Sequence, residues 1–160
     1  WITICAIRSA EHSAVGCRRE LQLPHAVGEP SFERLLAFAR IVGDLNPLHH
    51  DADYAARSPF RSIIASGTHP TARLLALTAT HYSRSCQPLG LGFSFRFVRA
   101  VPAGVTLDLV WDVTAREPKA SLAGEVVTLD GRAIDDDGIV YVAGHATLLL
   151  RPRHDPEENT

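Results

Sequence analysis

Nine consecutive residues, GDLNPLHHD from Gly43 to Asp51, place a carboxylate at Asp44 and an imidazole at His49, with Asn46-Pro47 between them. An Asn-Pro pair makes a rigid bend, and a bend can aim two side chains at one point. A carboxylate and a neutral imidazole that face one water molecule form a general acid/base pair: one takes a proton from the water while the other positions the water or returns a proton. Two other readings apply to the same residues. In the first, Gly43 ends a helix, Asp44 and Asn46 bond to their own backbone, Pro47 fixes a turn, and the histidines are bystanders. In the second, His49, His50, Asp51 and Asp53 bind a metal. Adjacent ligands on a bend rarely converge on a tetrahedral ion, and no cysteine pair or distant histidine motif completes the set, so no metal is expected.

The flanking elements must hold this loop. Upstream, Phe32, Leu35, Leu36 and Ala39 recur at helical spacing, with Ser31 suited to the N-cap and Pro30 just before it. Gly43 suits the left-handed conformation that ends such a helix, which leaves Asp44 to Pro47 as a loop. A second helix is expected over about residues 68–83, THPTARLLALTATHYS, with Pro70 tolerated in its first turn. Arg73 is the one charged residue in that stretch, so the helix should be enclosed by other structure. The period then changes to two. Phe93, Phe95 and Phe97 alternate with Ser94 and Arg96, and Leu107, Leu109, Trp111 and Val113 lie opposite Asp108 and Asp112. Further strands are expected at roughly 121–130 and 139–150, joined by a hairpin at Asp137-Gly138. The pattern describes a single α+β domain over residues 1–150, in which antiparallel strands follow two helices and the apolar helix covers the sheet. Residues 151–160, RPRHDPEENT, read as a frayed tail.

Composition narrows the function classes. The 160 residues are 46% hydrophobic and 21% charged, with a formal net charge of −2, which fits a globular domain and offers no basic surface for nucleic acid. Cys5, Cys17 and Cys86 are odd in number and have no C-x-x-C spacing, so reduced thiols are expected rather than disulfides or a zinc ribbon. No apolar run approaches the ~20 residues that span a bilayer. A cytoplasmic location without a membrane partner is the expectation. The chain contains no methionine, and its first residues carry little weight in the reading.

Residues 38 to 55, FARIVGDLNPLHHDADYA, closely resemble the signature of the MaoC-like dehydratases, the hotdog-fold group that includes the (R)-specific enoyl-CoA hydratases. The resemblance lies in the G-D-x-N-P-x-H core and the small residue that follows it, here Ala55. It implies a single hotdog domain: a long central helix, about 68–83, wrapped by a curved antiparallel β-sheet from about 92 to 150. It also implies that Asp44 and His49 hold a water that adds to the β-carbon of a trans-2-enoyl thioester, or leaves from an (R)-3-hydroxyacyl thioester. Asn46 and Pro47 would shape the loop, and His50 would lie outside the pair, exposed. The implied substrate is an acyl thioester of coenzyme A or acyl carrier protein, with no further cofactor. Hotdog domains pair their sheets edge to edge, so a homodimer is implied.

Adding water to a conjugated thioester puts negative charge on the carbonyl oxygen, where N–H donors are needed. The stretch IIASGTHP, residues 63 to 70, leads into the apolar helix, whose N-terminal amides can serve, and Gly67 allows close approach to the backbone. Ser66 and Thr68 read either as helix caps or as candidate substrate contacts. The family usually has His-Gly-Met or a similar triplet here, so Gly67 matches while Ser66 and Thr68 depart. Val42 departs too, from a small hydroxyl or thiol residue, and is expected to pack beneath the loop. Arg96 and Arg99 are candidates for the phosphates of coenzyme A or the pantetheine arm of a carrier, although a solvated sheet face also carries arginines. His69 and His81 are expected to be hydrogen-bonded core or interface residues. Trp111, Phe93, Phe95 and Phe97 are expected in the core. Two alternatives to the hydratase remain at this level: a hotdog acyl-thioesterase, and a catalytically inactive acyl-binding subunit.

Overall fold

A computed structural model of the chain describes residues 7–9, 19–22 and 30–153. The opening residues, Cys5, Cys17 and the tail beyond Arg153 lie outside the described residues. Helix α1 is Pro30–Ile41. It starts two residues earlier than an N-cap at Ser31 implies, because proline needs no N–H partner in a first helical turn, and Ser31 lies inside it. After a 3₁₀ turn at Pro47–His49, a short helix α2 covers Ala52–Arg57 and the central helix α3 covers Thr68–Tyr82. The strands are β1 (Ile7–Ser9), β2 (Arg19–Gln22), β3 (Gln87–Phe97), β4 (Thr106–Lys119), β5 (Gly124–Ile134) and β6 (Val140–Arg151). The sequence reading contained no α2; six residues without two full turns of apolar spacing carry no periodic signal.

The sheet runs in the order β1-β4-β5-β6-β3, and β2 also pairs with β4. Strands β3 to β6 are antiparallel throughout, while β1 lies parallel to β4. Helix α3 lies across one face. Its Leu74 and Leu77 join Leu107, Leu109 and Trp111 of β4, Val127 and Leu129 of β5, and Ala146 and Leu148 of β6 in one core. Each fully buried leucine contributes about 1.5–3 kcal/mol relative to exposure. This is the hotdog arrangement, a helix enclosed by a curved sheet.

Trp111 fixes how closely helix and sheet approach. The residue is fully buried, and its indole Nε1 donates to the Leu74 carbonyl at 3.0 Å, tying the middle of β4 to the middle of α3. The ring lies across Gly131 of β5 and Gly144 of β6. A methyl at either glycine would meet the indole, at 2.6 Å and 3.2 Å respectively. Those glycines are the space in which the tryptophan sits.

The phenylalanine stripe departs from expectation. Phe95 packs against the core, but Phe93 is exposed and Phe97 is 58% exposed. The reason is position: among the described residues β3 pairs only with β6, which puts it at the sheet edge, and its register with β6 shifts between Gly90 and Gly92. Alternation identifies two faces but not which strand stands at an edge. Among the described residues no helix is long and apolar enough to cross a membrane.

Candidate active site

The loop begins at a Schellman C-cap. Gly43 has φ +75°, its N–H donates to the Arg40 carbonyl, and the Asp44 N–H donates to the Ala39 carbonyl at 2.8 Å. Asp44 therefore leaves the helix in a set direction. Its Oδ1 accepts from the Asn46 amide, and Asn46 Oδ1 accepts from the Leu48 amide, which caps the 3₁₀ turn that Pro47 opens. His49 is the last residue of that turn. Asp51, next but one, accepts from the Tyr54 amide as the N-cap of α2. The turn reading and the chemical reading are thus both realised in one loop, since the local bonds are what aim Asp44 and His49.

His49 is buried, and its Nδ1 lies 2.8 Å from the Ile64 carbonyl. A carbonyl only accepts, so Nδ1 carries the proton and Nε2 is left to exchange one. Nε2 lies 3.3 Å from Asp44 Oδ2. The Ile64 carbonyl is held in place because Ile64 bridges Pro102, the Ala65 amide donates to the Val101 carbonyl, and the Ala103 amide donates to the Ile63 carbonyl. His50 departs from expectation: it is half-buried, and its Nε2 donates to the Asp44 main-chain oxygen at 2.6 Å. It braces the loop from behind. Val42 also departs, being exposed rather than packed beneath the loop.

Asp44 is half-buried, yet its carboxyl sits below the usual carboxylate range. The largest cause is the hydrogen bond from Ser66, opposed by burial and assisted by the Asn46 amide and by the neighbouring His49 and His50. Ser66 Oγ lies 2.6 Å from Asp44 Oδ2 and 2.6 Å from Thr68 Oγ1. Ser66 is scarcely a cap: the Thr68 amide is 3.4 Å from its oxygen, and the N-cap of α3 is Gly67, without a side-chain bond. Sequence alone allows Ser66 and Thr68 as caps or substrate contacts; in the structure the Ser66 hydroxyl reaches Asp44 and the Thr68 hydroxyl meets that of Ser66.

A cavity of about 370 Å³ opens beside this cluster, lined by His49, Phe60, Gly67, Phe97, Arg99 and neighbours. His49 and Gly67 thus line the same cavity, although 18 residues separate them, and Asp44 is not among its lining residues. Phe97 lies directly over Gly67, and a methyl on Gly67 would meet the ring at 2.7 Å. Arg99 reaches the rim of the cavity, whereas Arg96 lies exposed on β3 and does not line it. Phe60 and Phe97 were not singled out as site residues by the sequence; only their place against Gly67 and His49 marks them.

His69, in the first turns of α3, is buried against Phe38 of α1, with ring centroids 4.6 Å apart. Neither its Nδ1 nor that of His81 has a hydrogen-bond partner among the described residues. The expectation of hydrogen-bonded histidines is therefore not met. Burial, with Arg73 nearby, pushes His69 down to about 4, so the ring stays neutral. Among the described residues no group of three or more His, Cys, Asp or Glu side chains is placed to hold a metal ion.

Comparison with known proteins bears on the family and the fold. Residues 18–131 match the family model described as the MaoC like domain. A UPF0336 protein of Clavibacter michiganensis is 30% identical over 137 residues, 80% of this chain and 87% of that protein. A 3-hydroxybutyryl-CoA dehydratase of Methylorubrum extorquens is 30% identical over 114 residues, 66% of this chain and 72% of that one. Among solved structures, the unliganded R-hydratase PhaJ1 of Pseudomonas aeruginosa superposes with a TM-score of 0.70 at 27% identity, covering 86% of this chain and 80% of that one.

Proposed function

This chain belongs to the MaoC-like dehydratase family, and we propose that it interconverts trans-2-enoyl and (R)-3-hydroxyacyl thioesters by adding or removing water, with Asp44 and His49 as the acid/base pair. The observation that carries the reading is the 3.3 Å approach of His49 Nε2 to Asp44 Oδ2, on a ring whose other nitrogen is committed to Ile64. With Nε2 unprotonated, two lone-pair atoms face each other. A water that shares one hydrogen between these two acceptors is held beside them for reaction.

In hydration, the oxygen of that water attacks the β-carbon as its O–H bond breaks towards His49 Nε2. The π electrons move onto the thioester to give an enolate, and the same nitrogen returns the proton to the α-carbon. Negative charge on the thioester oxygen needs a donor, and the Gly67 amide just before α3 has no acceptor among the described residues, whereas the Thr68 and His69 amides turn back to Ser66. Arg99 at the cavity rim suits a phosphate or the polar arm of the thioester carrier, coenzyme A or carrier protein. Nothing in this scheme needs another cofactor.

A second copy of the chain is the proposed partner. The outer edge of β3 is unpaired among the described residues and carries exposed Leu91, Phe93 and Phe97. Such an edge is a liability unless another strand covers it. Sedimentation should give a homodimer.

Incubation with crotonyl-CoA tests the activity. Loss of the enoyl absorbance without release of free thiol supports hydration. Thiol release instead identifies a thioesterase, and binding without turnover identifies an inactive acyl-binding subunit.

A further inference from the structure

Ser66 and Thr68 stand where the sequence departs from the family triplet, and the structure shows them doing something other than capping. Ser66 is buried, comes from a segment 22 residues away from Asp44, and brings its Oγ within 2.6 Å of Asp44 Oδ2. An ionised carboxylate only accepts, so the single hydroxyl proton of Ser66 points at Asp44. Ser66 Oγ must then accept from its other close neighbour, Thr68 Oγ1, at 2.6 Å. The donors form a one-way chain, Thr68 to Ser66 to Asp44. Asp44 Oδ1 is separately held by the Asn46 amide. Both carboxylate oxygens are thus tethered, and the tether on Oδ2, the oxygen nearest His49, is a side-chain hydroxyl anchored in the first turn of α3.

We propose that Ser66, oriented by Thr68, is a positioning residue that aims the Asp44 carboxylate at His49. The chain of hydroxyls couples the loop to the same helix N-terminus that offers the Gly67 amide to the thioester. A shift of α3 would therefore move the water-holding oxygen and the donor for the thioester oxygen together. A hydrogen bond to the charged form of a carboxylate favours that form. The other titratable groups around Asp44 are His49, facing Oδ2, and His50, bonded to the Asp44 main-chain oxygen. The inference rests on the proposed hydration for its kinetic consequences but not for its structural ones.

The test uses Ser66→Ala, Ser66→Thr and Thr68→Val in the full chain. The deciding measurement is the titration of the Asp44 carboxyl by carbon NMR in aspartate-labelled protein, assigned with Asp44→Asn. Ser66→Ala should move that titration to higher pH, Thr68→Val should move it less in the same direction, and Ser66→Thr, which keeps the hydroxyl, should restore it. With crotonyl-CoA, Ser66→Ala should lower kcat by about tenfold to a hundredfold, as is common when the partner of a reacting group is removed, and leave KM within about threefold. A folded Ser66→Ala protein with an unmoved Asp44 titration overturns the proposal. If Ser66→Ala does not fold, Thr68→Val decides by the same shift, since Thr68 is exposed. If the wild-type protein hydrates no enoyl thioester, the proposed function fails while the Asp44 titration still judges the role of Ser66.

Discussion

The two ends of α3 each face a cavity, and the larger one is at the end that lacks the convergent chemistry. At the C-terminal end about 420 Å³ is lined by His81, Tyr82, Cys86, Arg116 and Glu125, among others. There Arg116 pairs with Glu125 at 2.7 Å, and the Cys86 thiol points back at the Tyr82 carbonyl. Burial pushes the Tyr82 hydroxyl up to about 12 and lowers His81, so neither changes its protonation readily near neutrality. Those two pairs close on themselves, and the buried His81 Nδ1 has no partner among the described residues to orient it. At the N-terminal end the smaller cavity meets a histidine with one nitrogen anchored and the other aimed at a tethered carboxylate. Volume alone does not mark a reaction site; what marks it is polar groups fixed on one side and left with an exchangeable position on the other.

Four experiments break or sharpen this contrast. The largest effect belongs to the acid/base pair: His49→Ala and Asp44→Asn should each lower kcat for crotonyl-CoA hydration by about 10²–10⁴-fold, whereas His81→Ala and Cys86→Ser should stay within about twofold. Equal losses at both ends would remove the distinction. Next is Trp111, which anchors α3 midway between the two. Trp111→Ala should reduce unfolding stability by about 3–5 kcal/mol in denaturant titrations, since it opens a cavity and leaves the Leu74 carbonyl without its indole donor.

The two helix histidines separate the ends by pH. Native His69 remains neutral down to about 4, whereas an unfolded histidine protonates below its ordinary value of 6.5. The unfolded state therefore binds more protons between those values. Stability is full above 6.5, declines as pH falls towards 4, and levels off below, by up to about 3 kcal/mol from this group. His69→Leu should flatten that decline in denaturant titrations at several pH values. His81→Leu should flatten it less, because His81 is only half-buried.

The smallest effect tests Gly67, which lines the same cavity as His49. Gly67 has φ −57°, so alanine there meets no backbone strain, and its methyl would displace only the exposed Phe97 ring. Gly67→Ala should change stability by less than about 1 kcal/mol yet lower kcat/KM by about tenfold, because a small displacement at a reacting centre is felt strongly. An unchanged rate would detach the start of α3 from the reaction.

The loop itself was legible because its signals are local. Gly43 reads as a left-handed cap, Asn46-Pro47 as a turn, and each acts on atoms within a few residues. Helix α3 was legible because one arginine in fifteen residues leaves little choice but burial. The role of Ser66 was not, since a hydroxyl just before a helix reads as a cap, and the partner that claims it lies 22 residues upstream. Phe97 was misread because alternation does not tell an edge strand from an inner one. Gly131 and Gly144 gave no signal, as their meaning is the shape of an indole from another strand.

What the amino-acid order alone determined is the set of bends, caps and periodicities that put Asp44 and His49 on one rigid connector ahead of an apolar helix. Those effects act over a few bonds, and the residues that cause them are neighbours in the chain. Only the tertiary structure decided which carbonyl claims His49 Nδ1, which hydroxyl tethers Asp44, and which ring covers Gly67. Each of those contacts joins segments separated by 15 to 30 residues, and their geometry follows from how closely helix and sheet pack.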